Sequence, residues 1–408
     1  MFNLSTETKG MMDFHLTEEG KEYRLSVADR FDEIAHLWDS AMGGLYLHPD
    51  YLRAVDNASP HGLRLLFVQF YYDAQLIGQA CFQALSIKGK DHYQPDEKAS
   101  MCQYGFFHSL MDFMRRKIIN RTRLNILVAG NLMNVGTNFY VFSDEVGEEL
   151  ATRLLGKGIK RSIQFLKQVR GQKFDSSIVK EFNEEQEAAR QVFRDYRYYQ
   201  FSVEPNMRLA LLWDNFEDYL EAMSSKYRVR QRRARKKLKG LTIRELTLED
   251  LAKYREEMHA LYLEIANNAQ LNLVNVDPNY HYSLKEHLGD RIHIRGYFKE
   301  DQLVGFFTLL HNGGTLDAGY LGILTEENRR HQIYLNMLYD MIAYGIKHDM
   351  QEIVFARTAL EIKSSVGAIP EEKFLFLRHQ NPVWHKLSKE FLKVFNTPPE
   401  WNQRHPFK

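Results

Sequence analysis

Read by the spacing of its apolar positions, the chain spells one series of elements twice. Apolar residues at helical spacing run through "RFDEIAHLWDSA" (Arg30–Ala41) and "LEDLAKYREEMHALYLEIANN" (Leu248–Asn268), which predicts a helix at the head of each copy. Next come "HPDYLRAV" from His48 and "DPNYHYSL" from Asp277. After each follows a hairpin of apolar and aromatic strands, "LLFVQFYYDAQLIGQACFQAL" and "RIHIRGYFKEDQLVGFFTLL". "QLIG" and "QLVG" hold the same place in the two hairpins: Pro49 stands 29 positions before Gly78, and Pro278 stands 27 before Gly305. A further strand then leads into a long amphipathic helix, "RLNILVA" to "DEVGEELATRLLGKGIKRSIQFLKQV" in the first copy and "TLDAGYLGI" to "RRHQIYLNMLYDMIAYGIKH" in the second. "SSIVKEF" and "QEIVFA" supply a closing strand to each. This order predicts an α+β fold of two tandem mixed-sheet units, residues 1–213 and 241–408, joined by a basic helix over 214–240.

Composition narrows the function without naming it. With 408 residues, 44% of them hydrophobic and 13% aromatic, the chain can fill two cores. Its 54 lysines and arginines balance 53 aspartates and glutamates, so any anionic partner must be met by a local patch, and no DNA partner is expected. No run approaches the roughly 18 apolar residues of a membrane helix, and the first residues lack a signal-peptide core, which points to the cytoplasm. Cys81 and Cys102 show no CxxC spacing, so neither a disulfide framework nor a structural zinc site is expected. HExxH, GxSxG and GxxxxGK[ST] are all absent, which removes the main support for zinc peptidase, serine hydrolase and P-loop chemistry. His281 and His287, in "HYSLKEH", lack metal-ligand spacing and read as structural histidines.

Two stretches put charge where the apolar pattern does not call for it. "RTALEIKSSVGA", Arg357 to Ala368, gathers Arg357, Glu361 and Lys363 just past a buried strand. "KYRVRQRRARKKLK", Lys226 to Lys239, holds nine basic residues in fourteen positions; Tyr227, Ala234, Leu238 and Leu241 form a narrow apolar seam. Such a run serves either as a solvated face or as a contact for phosphates, tRNA or an anionic bilayer at the inner membrane face.

The order of elements, together with these two stretches, resembles the GNAT superfamily of acyltransferases, in particular its tandem Fem-like branch. Lys363 and Gly367 fall at the places of that branch's "fK..fG" segment, and Lys226, Arg228, Arg232, Ala234, Lys236 and Gly240 fit its "k.R..ir.A.k.g" signature. The chain departs from ordinary GNAT acetyltransferases at the glycine-rich turn that wraps a coenzyme A pyrophosphate. The second unit has "TEENRRHQIY" there. The first has "GNLMNVGT", Gly130 to Thr137, which could offer amides without matching the motif.

The resemblance implies an N-acyltransferase with acyl-CoA or an acyl-carrier protein as co-substrate, no tightly bound cofactor, and the amine of an envelope or lipid precursor as acceptor, with a long-chain sphingoid-type amine favoured. An aminoacyl-tRNA-dependent peptidyltransferase and a non-catalytic binding protein are the alternatives. Acyl transfer needs a base for the amine, a donor for the oxyanion and an acid for the leaving thiolate. Glu361 is expected as base, Lys363 as an electrostatic group and Tyr320 as acid. Arg357, Thr358, Ser364, Gly367, Arg228 and Arg232 are expected to bind donor or substrate. The competing reading of Arg357, Glu361 and Lys363 is an ion-pair network that locks a loop.

Overall fold

The computed structural model describes residues 10–88, 123–136, 139–267, 274–392 and 401–408. Cys102 and Thr137 lie outside the described residues. The strands are β1 (Met11–Glu18), β2 (Lys21–Ala28), β3 (Leu63–Tyr72), β4 (Gln75–Lys88), β5 (Arg123–Ala129), β6 (Tyr140–Phe142), β7 (Ser176–Phe182), β8 (Tyr199–Ser202) and β9 (Asn206–Ala210). They continue as β10 (Leu241–Glu245), β11 (Ile292–Lys299), β12 (Gln302–Asn312), β13 (Thr315–Ile323), β14 (Glu352–Val354), β15 (Ile369–Glu371) and β16 (Phe374–His379). They form two mixed sheets, ordered β1-β2-β3-β4-β5-β7-β16-β8, with β6 also on β4, and β10-β11-β12-β13-β14-β9-β15. The architecture is two tandem α+β units.

The repeat is visible in the register. In the first hairpin Gly78 faces Phe70, and the pairing slips by one residue before Leu76 meets Tyr71; in the second Gly305 faces Tyr297, and the same slip follows before Leu303 meets Phe298. A β-bulge at one matched place in two hairpins is a shared structural device. A Cβ on Gly78 would stand 2.4 Å from the Phe142 ring, which explains the glycine there. β5 and β6 together occupy the place of β13: both pair with β4 as β13 pairs with β12, and the Gly130–Gly136 loop comes where β13 carries an extra residue between Ala318 and Leu321. Each unit has one parallel pair, β5 with β7 and β13 with β14.

Beyond those pairs the halves exchange strands across residue 213. β16 enters the first sheet between β7 and β8, and β9 enters the second between β14 and β15. "SSIVKEF" and "QEIVFA" therefore do not close their units; each has two more strands beyond it.

Several helices are shorter than the apolar spacing suggests. The first copy's leading helix is one turn, Phe31–Ile34, followed by a 3-10 turn to Leu37. Its counterpart breaks at Tyr254 into Leu248–Lys253 and Arg255–Ala266. Gln332, at φ 50°, splits Thr325–His331 from Ile333–Lys347. The linking segment is two helices, Phe216–Ala222 and Ser225–Lys237. Among the described residues no helix is long and apolar enough to cross a membrane.

Candidate functional site

Helices Pro49–Asn57 and Tyr280–Leu288, the matched "HPDY" and "DPNY" elements, pack on one another between the two sheets. Their matched tyrosines, Tyr51 and Tyr280, are buried, and the Tyr51 hydroxyl accepts from Asn131 Nδ2 at 3.0 Å. The seam is tied further by Ser283 Oγ donating to the Ala54 carbonyl at 2.8 Å and by an Arg291–Asp50 ion pair. Tyr46 meets Tyr51 edge to face at 5.0 Å, and Tyr320 meets both Tyr280, at 5.7 Å, and Tyr262, at 5.2 Å. A small cavity beside Tyr46 and Tyr51, with Cys81, Gln83 and Asn131 in its wall, has room for about one water molecule.

A carboxylate faces these tyrosines. Asp317 is the last residue of β13 paired with β14, so it marks the point where the two parallel strands part. The extra residue in β13 reverses the alternation of sides, which brings Asp317 and Tyr320 to one face although they are three apart. Asp317 is 4% exposed; its Oδ2 accepts from the Tyr46 hydroxyl at 2.7 Å and from Asn312 Nδ2 at 3.3 Å, and neither bond uses Oδ1. Burial pushes its carboxyl up to about 6, against the opposing pull of these two donors. Burial likewise lifts the Tyr320 hydroxyl well above its usual range, so it stays protonated at neutral pH. Asp317 is absent from the sequence-derived candidates. Its signal was a lone carboxylate inside the apolar run "TLDAGYLGI".

The charged stretch after β14 is spent on internal ties. Arg357 pairs with buried Glu181 at 2.7 Å, and its Nε donates to the Glu204 carbonyl at 3.0 Å. Burial works against ionised Glu181, but Lys180, Arg357 and the Gly136 amide outweigh it and hold the carboxyl well below its usual range. Lys363 is buried and donates to the carbonyls of Arg357 at 2.5 Å and Ala356 at 3.3 Å; burial lowers its ammonium to about 7. Glu361 lies on the surface with Arg404 at 3.1 Å, and the Asn402 amide and Arg404 hold it below its usual range, the opposite of what a base requires. Ser364 Oγ accepts from the Arg404 amide at 3.0 Å. Gly367, at φ 101°, has the Phe407 ring where a Cβ would be, at 2.3 Å. Glu361, Ser364 and Gly367 thus hold segment 401–408, and Thr358 is exposed at φ 66°. Of the expected site residues, the structure brings Tyr320 alone to the seam.

The expected phosphate contacts divide in the same way. Arg228 caps the end of helix Phe216–Ala222 through the carbonyls of Glu221 and Met223, whereas Arg232 is exposed. Four amides of "GNLMNVGT" are taken internally: Leu132 by Gln83, Met133 by Asn131, Val135 by Asn134 and Gly136 by Glu181. In "TEENRRHQIY" the Thr325 amide donates to Glu264 at 2.8 Å. These five amides are therefore not open to a pyrophosphate. Among the described residues no group of three or more His, Cys, Asp or Glu side chains could hold a metal ion.

In sequence, no family model and no curated protein matches the chain. In structure, the crystal structure of FemX is similar over 87% of this chain and 97% of its own, at 13% identity and a TM-score of 0.51. A tandem GNAT protein from the clavulanic acid biosynthesis pathway is similar over 91% of this chain and 99% of its own, at 11% identity and a TM-score of 0.50. At such identities the likeness is one of fold, and it spans both units: the chain has the tandem GNAT fold of the Fem-like kind.

Proposed function

We propose that the chain is an N-acyltransferase, moving an acyl group from a coenzyme A or acyl-carrier-protein thioester to the amine of an envelope or lipid precursor, with a long-chain sphingoid-type amine as acceptor. The observation that carries this reading is Asp317, a buried carboxylate with one oxygen outside its two hydrogen bonds, ionising at about 6 where β13 and β14 part. A general base works best when it ionises near the working pH. As the amine nitrogen attacks the thioester carbonyl, Asp317 takes its proton; when the tetrahedral intermediate collapses the C–S bond breaks, and the same proton passes to the departing thiolate. Tyr320, held protonated by burial, is a poor acid for a thiolate but a good hydrogen-bond donor to the oxyanion. With five of the loop amides spent on internal acceptors, the donor is gripped mainly through its acyl group and arm rather than its diphosphate.

The exposed Arg230, Arg232 and Arg233 of helix Ser225–Lys237 favour one second reading, aminoacyl-tRNA-dependent transfer. Purified protein incubated with sphinganine and palmitoyl-CoA or palmitoyl-carrier protein is expected to release thiol and form N-palmitoyl product, and Asp317→Asn to slow this by about 100- to 10,000-fold. Transfer from aminoacyl-tRNA and from neither thioester would reject the proposal in favour of the second reading.

A further inference from the structure

We propose that Tyr46, from the first unit, is the positioning residue that keeps Asp317 of the second unit an ionised hydrogen-bond acceptor, so that the acid–base centre is built by both halves of the chain. The inference rests on the reading of Asp317 as the base and adds what sets its state.

The geometry is a strap laid across β12 and β13. The buried 3-10 turn Leu45–Leu47 follows Gly44, at which a Cβ would stand 2.7 Å from Asn312 Oδ1; only glycine lets the turn lie so close. The Leu45 amide donates to that same Asn312 oxygen at 3.1 Å, while Asn312 Nδ2 donates to Asp317 at 3.3 Å. The far end of the turn is fixed by the Trp38 indole, which donates to the Leu47 carbonyl at 2.8 Å. Between these anchors the Tyr46 hydroxyl reaches Asp317 at 2.7 Å, its ring braced edge-on by Tyr51.

The other groups acting on Asp317 do little to offset its burial. Glu352 on β14 disfavours the ionised form and Arg208 on β9 favours it, but these two are tied to one another, and Thr315 also holds Glu352. Tyr51 stays protonated and neutral, pushed up to about 12. Tyr46 and Asn312 are therefore the donors that counter desolvation, and the strap places both. Without them the carboxyl keeps its proton and cannot accept one from an amine.

Carboxyl-carbon NMR of the full chain labelled at aspartate reads this on the protein alone, with no donor or acceptor present. Loss of a signal in Asp317→Asn assigns it. Tyr46→Phe is expected to move the Asp317 midpoint upward by about one pH unit or more, the worth of one hydrogen bond to a charged acceptor. Asn312→Ala, which frees Leu45 and removes the second donor, is expected to move it the same way. Unmoved midpoints in the folded variants, whatever their melting temperatures, would overturn the proposal. If the midpoint rises while the pH limb of thiol release from palmitoyl-CoA stays in place, the strap is upheld and it is the reading of Asp317 as base that falls.

Discussion

Asp317 costs the fold stability, and that cost is a way to test its role. An aspartate in the unfolded chain releases its proton near 4, whereas the folded carboxyl holds it up to about 6. Between those values the folded chain binds more protons, so the stability linked to this group is fully present below about pH 4 and is lost as pH rises through about 6. The two-unit difference amounts to about 3 kcal/mol at pH 8. Asp317→Asn keeps an acceptor for Tyr46 and removes the charge. It is expected to raise the unfolding free energy at pH 8 by up to that amount, to change it little at pH 4, and to abolish most turnover. A variant destabilised at pH 8 would show that the carboxylate is retained for structure. Tyr46 and Asp317 also mark how far a sequence reads at this scale. A carboxylate inside an apolar strand is visible as an anomaly, but its partner, 271 positions away, becomes visible only when the seam closes.

At the scale of elements, local periodicity and pairing part company. "RLNILVA", "SSIVKEF" and "TLDAGYLGI" are β5, β7 and β13 residue for residue, because each is a short segment with β-branched or aromatic residues at its centre, the composition that favours a strand. The exchange of β9 and β16 was not legible, since nothing in a strand's own side-chain period names its neighbour. The charges of "RTALEIKSSVGA" are legible as unusual, but the sequence does not show what they bond to, and a chain turning sharply after a strand needs internal ties too. Ala356, Thr358 and Ala359 have φ values of 57°, 66° and 49°, a region that costs a side chain about 1 kcal/mol or more. Lys363 caps the carbonyls of Ala356 and Arg357 inside that turn. Thr358→Gly is expected to hold or raise the urea midpoint. Lys363→Met is expected to lower stability by about 1–3 kcal/mol through orphaned carbonyls. Its ammonium is lowered by burial to about 7, so below that pH the native lysine carries a desolvation cost that the unfolded chain avoids. The loss in Lys363→Met should accordingly be larger at pH 10 than at pH 6. Unchanged stability at both would remove the cap and return Lys363 to the candidates for chemistry.

Across the whole molecule, the two units are halves of one body. Ile178 meets Val128, which faces Gln83, and Val354 meets Asp317, which faces Leu310; Gln83 and Leu310 stand at the same distance past Gly78 and Gly305. Glu181 and Arg357 each stand three positions past the matched residues Ile178 and Val354 and pair with one another, so the ion pair bridges the internal repeat. The crossings that carry β9 and β16 into the opposite sheets run alongside, with the Val203 amide bonded to the Lys373 carbonyl. A chain cut after residue 213 would leave β7 and β8 without the strand between them, and the remainder would leave β14 and β15 the same way. Two independent domains would unfold in two steps; strands shared in both directions make one cooperative unit. Calorimetry is expected to give a single transition with matching van't Hoff and calorimetric enthalpies, and residues 1–213 expressed alone are expected not to fold. Arg357→Met, which leaves Glu181 buried beside Lys180 without its cross-unit partner, should cost about 3–5 kcal/mol and lower that one transition as a whole. If only part of the heat absorption moves, the halves melt separately, and the seam that joins Tyr46 to Asp317 can open without unfolding either sheet.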